Sequence, residues 1–420
     1  MSKLERVELF NLKSLSFFIL WLLAILSISL GYEFYKYKKL TTFYDPLIKA
    51  EVIDQEIRMI YKKPQTAIKF RLDDGSIARS YMKTDIADLR GKSVLVELWV
   101  KNLTFYDYMR GFRSKAVIYE IYDELSIKER WYRSIASLHD DPWMRELYGA
   151  LFIATPKSAD FSSLIGSMGI GHLLAISGYH YGVISLIIFF LFRPIYYYFH
   201  NRYFPYRHGA RDLFFIVLTI LFFYLYTLEF VSSMVRAFSM VVVGFILYDR
   251  GVKIISLQTL FIAVALVLAF YPRLFFAIGF WFSSMGVLSI FVFLKYYSHL
   301  KPYQIFLLLH IWCYMVMNPI AFGVFDNFSL YHPLSIVFSL LFNIFYPLVA
   351  FLHLVGYGDI FDSYLLALFE SVEVKYIKYP LYLGIVSVVL ALAAMRYKLA
   401  FYALGALGLF STIAAVYQIT

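Results

Sequence analysis

The sequence predicts a polytopic α-helical membrane protein that carries one small soluble β domain, and three observations predict it. Hydrophobic residues make up 61% of the chain, aromatics 20% and charged residues only 16%, too apolar a balance for a soluble globule. Apolar runs of spanning length, about 20 residues, recur from Leu173 almost to the C-terminus. Between Asp45 and Glu124 the hydropathy falls and the apolar period shortens to two, the signature of half-buried strands.

The first apolar run, Leu15 to Gly31, is followed by Tyr32 and Lys36 and by no small-x-small cleavage site, so residues 1–44 are expected to be an uncleaved anchor with its flanks. In residues 45–125 the strand candidates are Glu51–Ile60, Ile68–Leu72, Ile77–Met82, Val94–Val100 and Ala116–Ile121, with Asp74-Gly75 as a hairpin turn. Five short strands in this span predict a small barrel of the oligonucleotide-binding (OB) type. Such barrels bind single strands by pairing basic grooves with stacking aromatics. The candidates here are Arg79, Tyr81, Lys83, Trp99, Lys101, Phe105, Arg110 and Arg113, with Tyr106 and Phe112 beside them. Two features weigh against binding. Aromatics in a small barrel serve as core, and acidic residues nearly balance basic ones in this segment.

Residues 126–165 fit helices lying in the membrane interface. Trp131, Tyr132, Ile135, Leu138, Trp143, Leu147 and Leu151 recur at helical spacing, with Arg130, Arg133, His139, Asp140 and Arg145 between them. Residues 166–420 form the polytopic domain, and with the anchor the sequence predicts about nine to ten spans. With the N-terminus inside, one anchor places the β domain in the periplasm. Alternation then delivers Arg193, Arg202, Arg207 and Arg211, later Arg250 and Lys253, and Lys295 and Lys301 to the cytoplasm, as the positive-inside rule requires. The net charge of +10 follows from that rule as readily as from a polyanionic partner. Cys313 is the only cysteine, so no intramolecular disulfide or cysteine-based metal site can form.

The densest motif is Met168-Gly-Ile-Gly-His-Leu-Leu-Ala-Ile-Ser-Gly-Tyr-His-Tyr-Gly182. Gly169, Gly171, Ala175, Ser177 and Gly178 are small enough for backbones to approach closely, and His172 and His180 are costly in hydrocarbon. Together they predict either a tight helix junction or a pathway. Arg236, in Ser232-Ser-Met-Val-Arg-Ala-Phe-Ser-Met240, is a second polar group at membrane depth, with Glu229 on about the same helix face.

The string Gly171-His-Leu-Leu-Ala-Ile-Ser-Gly178, with His180, resembles the signature of the ComEC family, the inner-membrane DNA channels of natural transformation. Further elements follow in that family's order. Ser233, Arg236 and Ala237 resemble its Ser-x-x-Arg-Ala element. Pro272 with Gly279-Phe280-Trp281-Phe282-Ser283 resembles its Pro…Gly-Phe-x-x-Ser element, and Asn343 with Pro347 its Asn-x-x-x-Pro element. The resemblance implies a channel for single-stranded DNA across the cytoplasmic membrane. Gly171, His172, Ser177, Gly178, His180, Arg236, Phe280, Asn343 and Pro347 would then be the translocation-path residues, and an OB-like domain would occupy the periplasm. It also implies a periplasmic DNA receptor and a cytoplasmic ATP-driven helicase or translocase as partners beside DNA and lipid, with self-association left open. Many members end in a metallo-β-lactamase-like domain. No His-x-His-x-Asp-His cluster is present here, so the chain resembles the short form, without nuclease chemistry, metal or other cofactor.

Two rival functions remain. A small-solute secondary transporter predicts repeated halves with matching broken helices, and no internal repeat is evident. Ala175-Ile-Ser-Gly178 also resembles the Gly-x-Ser-Gly element of rhomboid-type intramembrane serine hydrolases. There Ser177 would need a base, and His172 and His180, five and three residues away, are poorly spaced to supply one. No catalytic residue is therefore assigned.

Overall fold

A computed structural model describes residues 12–60, 63–83, 86–122, 127–176, 178–228, 230–249 and 257–419. They divide into two compact units. One takes the chain up to Trp131 together with Ile262–Ile278, and the other takes Tyr132–Phe261 with Gly279–Thr420.

The first unit opens with α1 (Leu12–Leu40), apolar over Ser16–Leu40 and long enough to cross a bilayer. Six strands follow: β1 (Leu47–Ile60), β2 (Lys63–Leu72), β3 (Ile77–Lys83), β4 (Ser93–Leu98), β5 (Phe112–Arg113) and β6 (Ala116–Tyr122), with helix α2 (Phe105–Arg110) before β5. Alternation decides which side is buried: Val52, Ile68, Phe70, Leu72, Val94, Val96 and Leu98 all point into one core. The β2–β3 turn is made by Gly75 at φ 78°, its N–H donating to the Leu72 carbonyl, and by Asp74, whose carboxylate accepts from the Ser76 backbone at 2.8 Å.

The sheet order is β5-β3-β2-β1-β4-β6. β5 and β6 are successive pieces of one segment, pairing parallel with β3 at its start and antiparallel with β4 thereafter. The five predicted strands are all present, and the two-residue β5 is the addition.

α2 is a short helix the strand pattern did not predict. Thr104 caps it, accepting from the Asp107 N–H at 3.1 Å, and Gly111 at φ 93° ends it. Its Tyr108 is fully buried and lies beneath the guanidinium of Arg273, 4.7 Å from the ring centre. Arg273 also donates from Nε and Nη2 to Glu33 of α1 (2.9 and 2.6 Å) and from Nη2 to the Tyr108 hydroxyl (2.7 Å). That hydroxyl in turn donates to Asp74 at 2.7 Å. Burial pushes the Tyr108 phenol well above its ordinary range, so it stays a donor. Arg273 thereby fastens the anchor helix to the sheet.

In the second unit, α3 (Ile127–Ala136, whose first residues belong to the first unit) buries none of its side chains. α4 (Pro142–Ile153) does the opposite. Asp141 caps it, and Met144, Leu147, Tyr148, Ala150, Leu151 and Ile153 are buried in the core rather than laid along a surface. After α5 (Ala159–Ser167) and the single turn α6 (Gly171–Leu174) come α7 (Gly178–Tyr203), α8 (Gly209–Thr227), α9 (Ser232–Asp249), α10 (Leu257–Phe270), α11 (Ile278–Tyr297) and α12 (Pro302–Phe322). The two-residue strands β7 (Asn327–Phe328) and β8 (Lys375–Tyr376) pair with each other, flanking α13 (Ser335–Leu354) and α14 (Asp362–Glu370). α15 (Leu381–Ala394) and α16 (Lys398–Ile419) close the chain.

Among the described residues seven helices are long and apolar enough to cross a membrane: Ser16–Leu40, Gly178–Tyr203, Gly209–Thr227, Ile278–Tyr297, Pro302–Phe322, His332–Leu354 and Lys398–Ile419. Three of the ten apolar runs in the sequence form shorter helices, Met234–Ile246, Gln258–Phe270 and Leu381–Ala394. The last, α15, measures about 21 Å along its axis against a hydrocarbon core of about 30 Å.

α12, α15 and α16 pack at backbone contact. A Cβ added at Gly408 would lie 2.1 Å from the Met315 carbonyl oxygen, and one at Gly384 would lie 3.0 Å from that of Pro319. Trp312 stacks on Phe401 with centroids 4.0 Å apart, and Asn318 donates to Thr412 at 2.8 Å.

Two stability predictions follow from this packing. Gly408→Ala must push α16 off α12, because the obstructing atom is backbone, and should cost about 1–3 kcal/mol or more. Gly286→Ala, with nothing within 4 Å, should be silent. Thermal unfolding of the purified chain in detergent compares the two. Arg273→Lys keeps the charge but loses the fork, and should cost the first unit about 1.5–3 kcal/mol, read as earlier proteolysis of the sheet on warming.

Candidate functional site

The signature segment is a helix interrupted. α5 ends at Ser167, and Gly169 turns the chain at φ 70° directly under the buried ring of His332; a Cβ there would meet Nε2 at 2.9 Å. His332 is fixed by the Tyr314 hydroxyl at 3.0 Å and stacks on Phe328. One turn of helix, α6, carries His172. Its Nδ1 donates to the Gly169 carbonyl (3.1 Å), which leaves Nε2 to accept from the Ser339 hydroxyl of α13 (3.2 Å). The chain then leaves helical geometry at Ala175 and Ile176 before α7 begins at Gly178. Ser177 lies outside the described residues.

α13 braces this break. Asn343 donates to the Ser339 and Leu340 carbonyls (2.9 and 3.1 Å), four residues before Pro347, which has no N–H to give. His180, buried to 1% exposure, sets its ring edge-on to Tyr346 (4.6 Å) and Phe342 (5.6 Å). Four of the residues singled out from the sequence, His172, His180, Asn343 and Pro347, thus share one helix pair, α7 with its lead-in and α13.

Only some of the motif's small residues stand at a close approach. Gly171, Gly178 and Gly182 have nothing within 4 Å of the position a Cβ would take, so they are not the points of close helix approach. That role falls to Gly169 against His332 and to Gly166, where a Cβ would lie 2.3 Å from Asn327 Nδ2. Gly171 and Gly178 open helices on either side of the interruption, with no described atom within 4 Å of an added Cβ.

Arg236 forms a second cluster. It is buried to 5% exposure on α9 and donates from Nη1 to the Gly279 carbonyl at 2.6 Å, beside the buried Phe280 at the start of α11. Glu229 lies outside the described residues, as does the side chain of Ser233. The two clusters adjoin through Tyr181 of α7 and Phe238 of α9, whose ring centres are 6.5 Å apart.

A family model described as competence protein matches residues 157–417, which contain both clusters and every motif element just described. The chain belongs to the competence protein family. No curated protein and no solved structure matches it.

The anchor and the sheet of this competence protein lie outside the matched residues. On the sheet, Arg79 and Arg113 sit directly opposite each other across β3 and β5, both exposed, and Tyr81 and Trp99 are exposed at 37% and 43%. Adjacent like charges disfavour the pair unless an anion lies between them. Arg110 is exposed, and Lys101 lies over Tyr44, whose exposed ring the sequence reading missed. Phe105 is turned inward instead, packed among Phe34, Tyr37 and Tyr108, because α2 places residues 105 and 108 on one face. The side chain of Lys83 lies outside the described residues.

His332, Ser339 and Tyr346 were also missed. They are ordinary members of apolar runs until the fold sets them against the signature.

Gly169→Ala should lower stability by about 2–4 kcal/mol, from left-handed strain plus the His332 clash, whereas Gly178→Ala should leave the melting temperature unchanged. If Gly178 borders the path, transformation falls in the second variant with folding intact; transformation assays on both variants at matched expression separate the two cases.

Proposed function

We propose that this competence protein is the membrane channel that passes single-stranded DNA across the cytoplasmic membrane in natural transformation. Membership of the family places the chain in competence and DNA uptake. The observation that carries the finer reading is the interruption at Ala175–Ile176. Non-helical backbone at membrane depth is tolerated where it is buried in protein or lines an aqueous cavity, and three glycines around this break have open space before them. Arg236, a cation whose partner is a backbone carbonyl, suits a polyanion moving past the same bundle.

The sheet supports the reading independently. A meander β1–β2–β3, with β1 also paired to β4 and a last segment parallel to β3, is the strand pattern of an OB fold. Its exposed Arg79, Arg113, Trp99 and Tyr81 supply the basic and aromatic groups that grip single strands. In this reading the OB-like domain faces the periplasm and takes DNA from a receptor there. A cytoplasmic ATP-driven helicase or translocase draws the strand inward, since the sequence holds no Gly-x-x-x-x-Gly-Lys nucleotide loop.

The test is transformation in a deletion strain complemented with Arg236→Gln, scoring labelled DNA in the periplasm and in the cytosol separately. DNA that reaches the periplasm but not the cytosol is expected; normal cytosolic arrival would remove Arg236 from the path. For the sheet, the pair Arg79→Glu and Arg113→Glu in the full chain should weaken binding of single-stranded DNA. It should also flatten the log Kd against log salt line by about one unit per arginine that contacts a phosphate. Trp99→Ala should cost about 1–3 kcal/mol per stacked base, and an unchanged salt slope in the double variant would move DNA contact elsewhere.

A further inference from the structure

Away from both clusters, three titratable side chains from distant parts of the second unit meet in a buried row. His139, in the turn between α3 and α4, is 2% exposed. Its Nδ1 lies 2.7 Å from Oδ2 of Asp362, the first residue of α14, and its Nε2 lies 3.0 Å from Nε2 of His353 near the end of α13. His353 Nδ1 in turn lies 2.7 Å from the Val349 carbonyl.

The protons in this row can be counted. A carbonyl only accepts, so His353 Nδ1 donates to Val349. A neutral His353 then presents a bare Nε2, and His139 Nε2 must donate to it. That fixes the His139 tautomer and leaves its Nδ1 facing a carboxyl oxygen at 2.7 Å. The contact needs a proton, held either by the carboxylic acid or by an imidazolium. An ionised Asp362 with two neutral imidazoles leaves one contact of the three with lone pair against lone pair. We propose that Asp362, His139 and His353 form a buried site that binds one proton and, when loaded, fastens α14 and the α3–α4 turn to the end of α13.

The surroundings favour the loaded form. Asp362 Oδ1 is buried and has no hydrogen-bond partner among the described residues, a position far costlier for a carboxylate than for an acid. Burial pushes the Asp362 carboxyl above the ordinary range, opposed by His139 and aided by the neighbouring carboxylates of Asp359 and Asp141. Tyr148 of α4 stacks on His139 at 4.4 Å and flanks His353 at 4.5 Å. Burial raises its phenol, so it stays protonated and does not compete. Arg145 is committed to the His139 carbonyl at 2.8 Å. Among the described residues no three His, Cys, Asp or Glu converge as a metal requires, and the proton is the ligand that fits.

The sign follows from linkage. A carboxyl whose pKa is raised in the folded state contributes stability that is complete at acid pH and lost as pH rises through the folded value. The experiment is thermal unfolding of the full chain in detergent from about pH 5 to about pH 9, wild type against Asp362→Asn. Relative to the variant, whose amide donates to His139 Nδ1 at every pH, the wild type should lose about 2 °C per pH unit up to the site's pKa and level off beyond it. Parallel curves would falsify the proposal. Should the variant fail to accumulate, hydrogen exchange of the wild type decides. Residues 359–370 must lose protection with rising pH, after correction for intrinsic rates, more than α12 and α16 do; equal protection overturns the site.

Discussion

Hydrocarbon offers no hydrogen bonds, and that constraint governs the second unit. Its polar side chains are spent first on backbone carbonyls of their own or adjacent helices. Ser284, Ser289, Thr219 and His310 bond the carbonyl four residues back, Trp312 reaches the Ser289 carbonyl, and Ser387 reaches that of Val316. A polar group so satisfied says nothing about function. The informative positions are those where the backbone itself breaks or where, among the described residues, a buried charge is met by a backbone carbonyl: the interruption before Gly178, and Arg236.

The interruption persists because its surroundings over-determine it. Gly169 can turn only as glycine, His172 spans from that turn to Ser339, and Asn343 holds the Ser339 and Leu340 carbonyls. A helix that ran straight from α5 into α7 would satisfy its own backbone and leave His172 and Asn343 without a purpose. Natural sequences break local rules mainly at functional sites, and the break coincides with the motif that marks the family.

Much of this was legible in the sequence, for local reasons. Period-two alternation located β1 to β4 and β6, and Asp74-Gly75 located their turn; the signature string marked a helix junction or a pathway, but the apolar run from Leu173 gave no sign of the break at Ala175 and Ile176. The helix α2 was not legible, because Phe105 and Arg110 read equally well as surface groups on a loop. Nor was the role of the glycines. Composition says that a backbone can come close at Gly169, Gly171 or Gly178, but only the fold says that His332 lies over the first and nothing lies over the others. His139 and Asp362 are 223 positions apart, and no period or spacing reports a pairing at that range.

The histidines bring these points together. An imidazole suits a membrane bundle because, neutral, it can both give and accept one hydrogen bond. His172 gives to the Gly169 carbonyl and takes from Ser339, and His332 meets the Tyr314 hydroxyl. Each of these partners is itself neutral and cannot exchange a charge with the ring, so the bond fixes a tautomer and nothing more. His139 differs in one respect: its partner is a carboxyl, and a proton placed between an imidazole and a carboxyl can leave without breaking a covalent frame. The same residue type therefore serves as a rigid strut at the signature and as a titratable joint at α14, and the partner across the bond decides which.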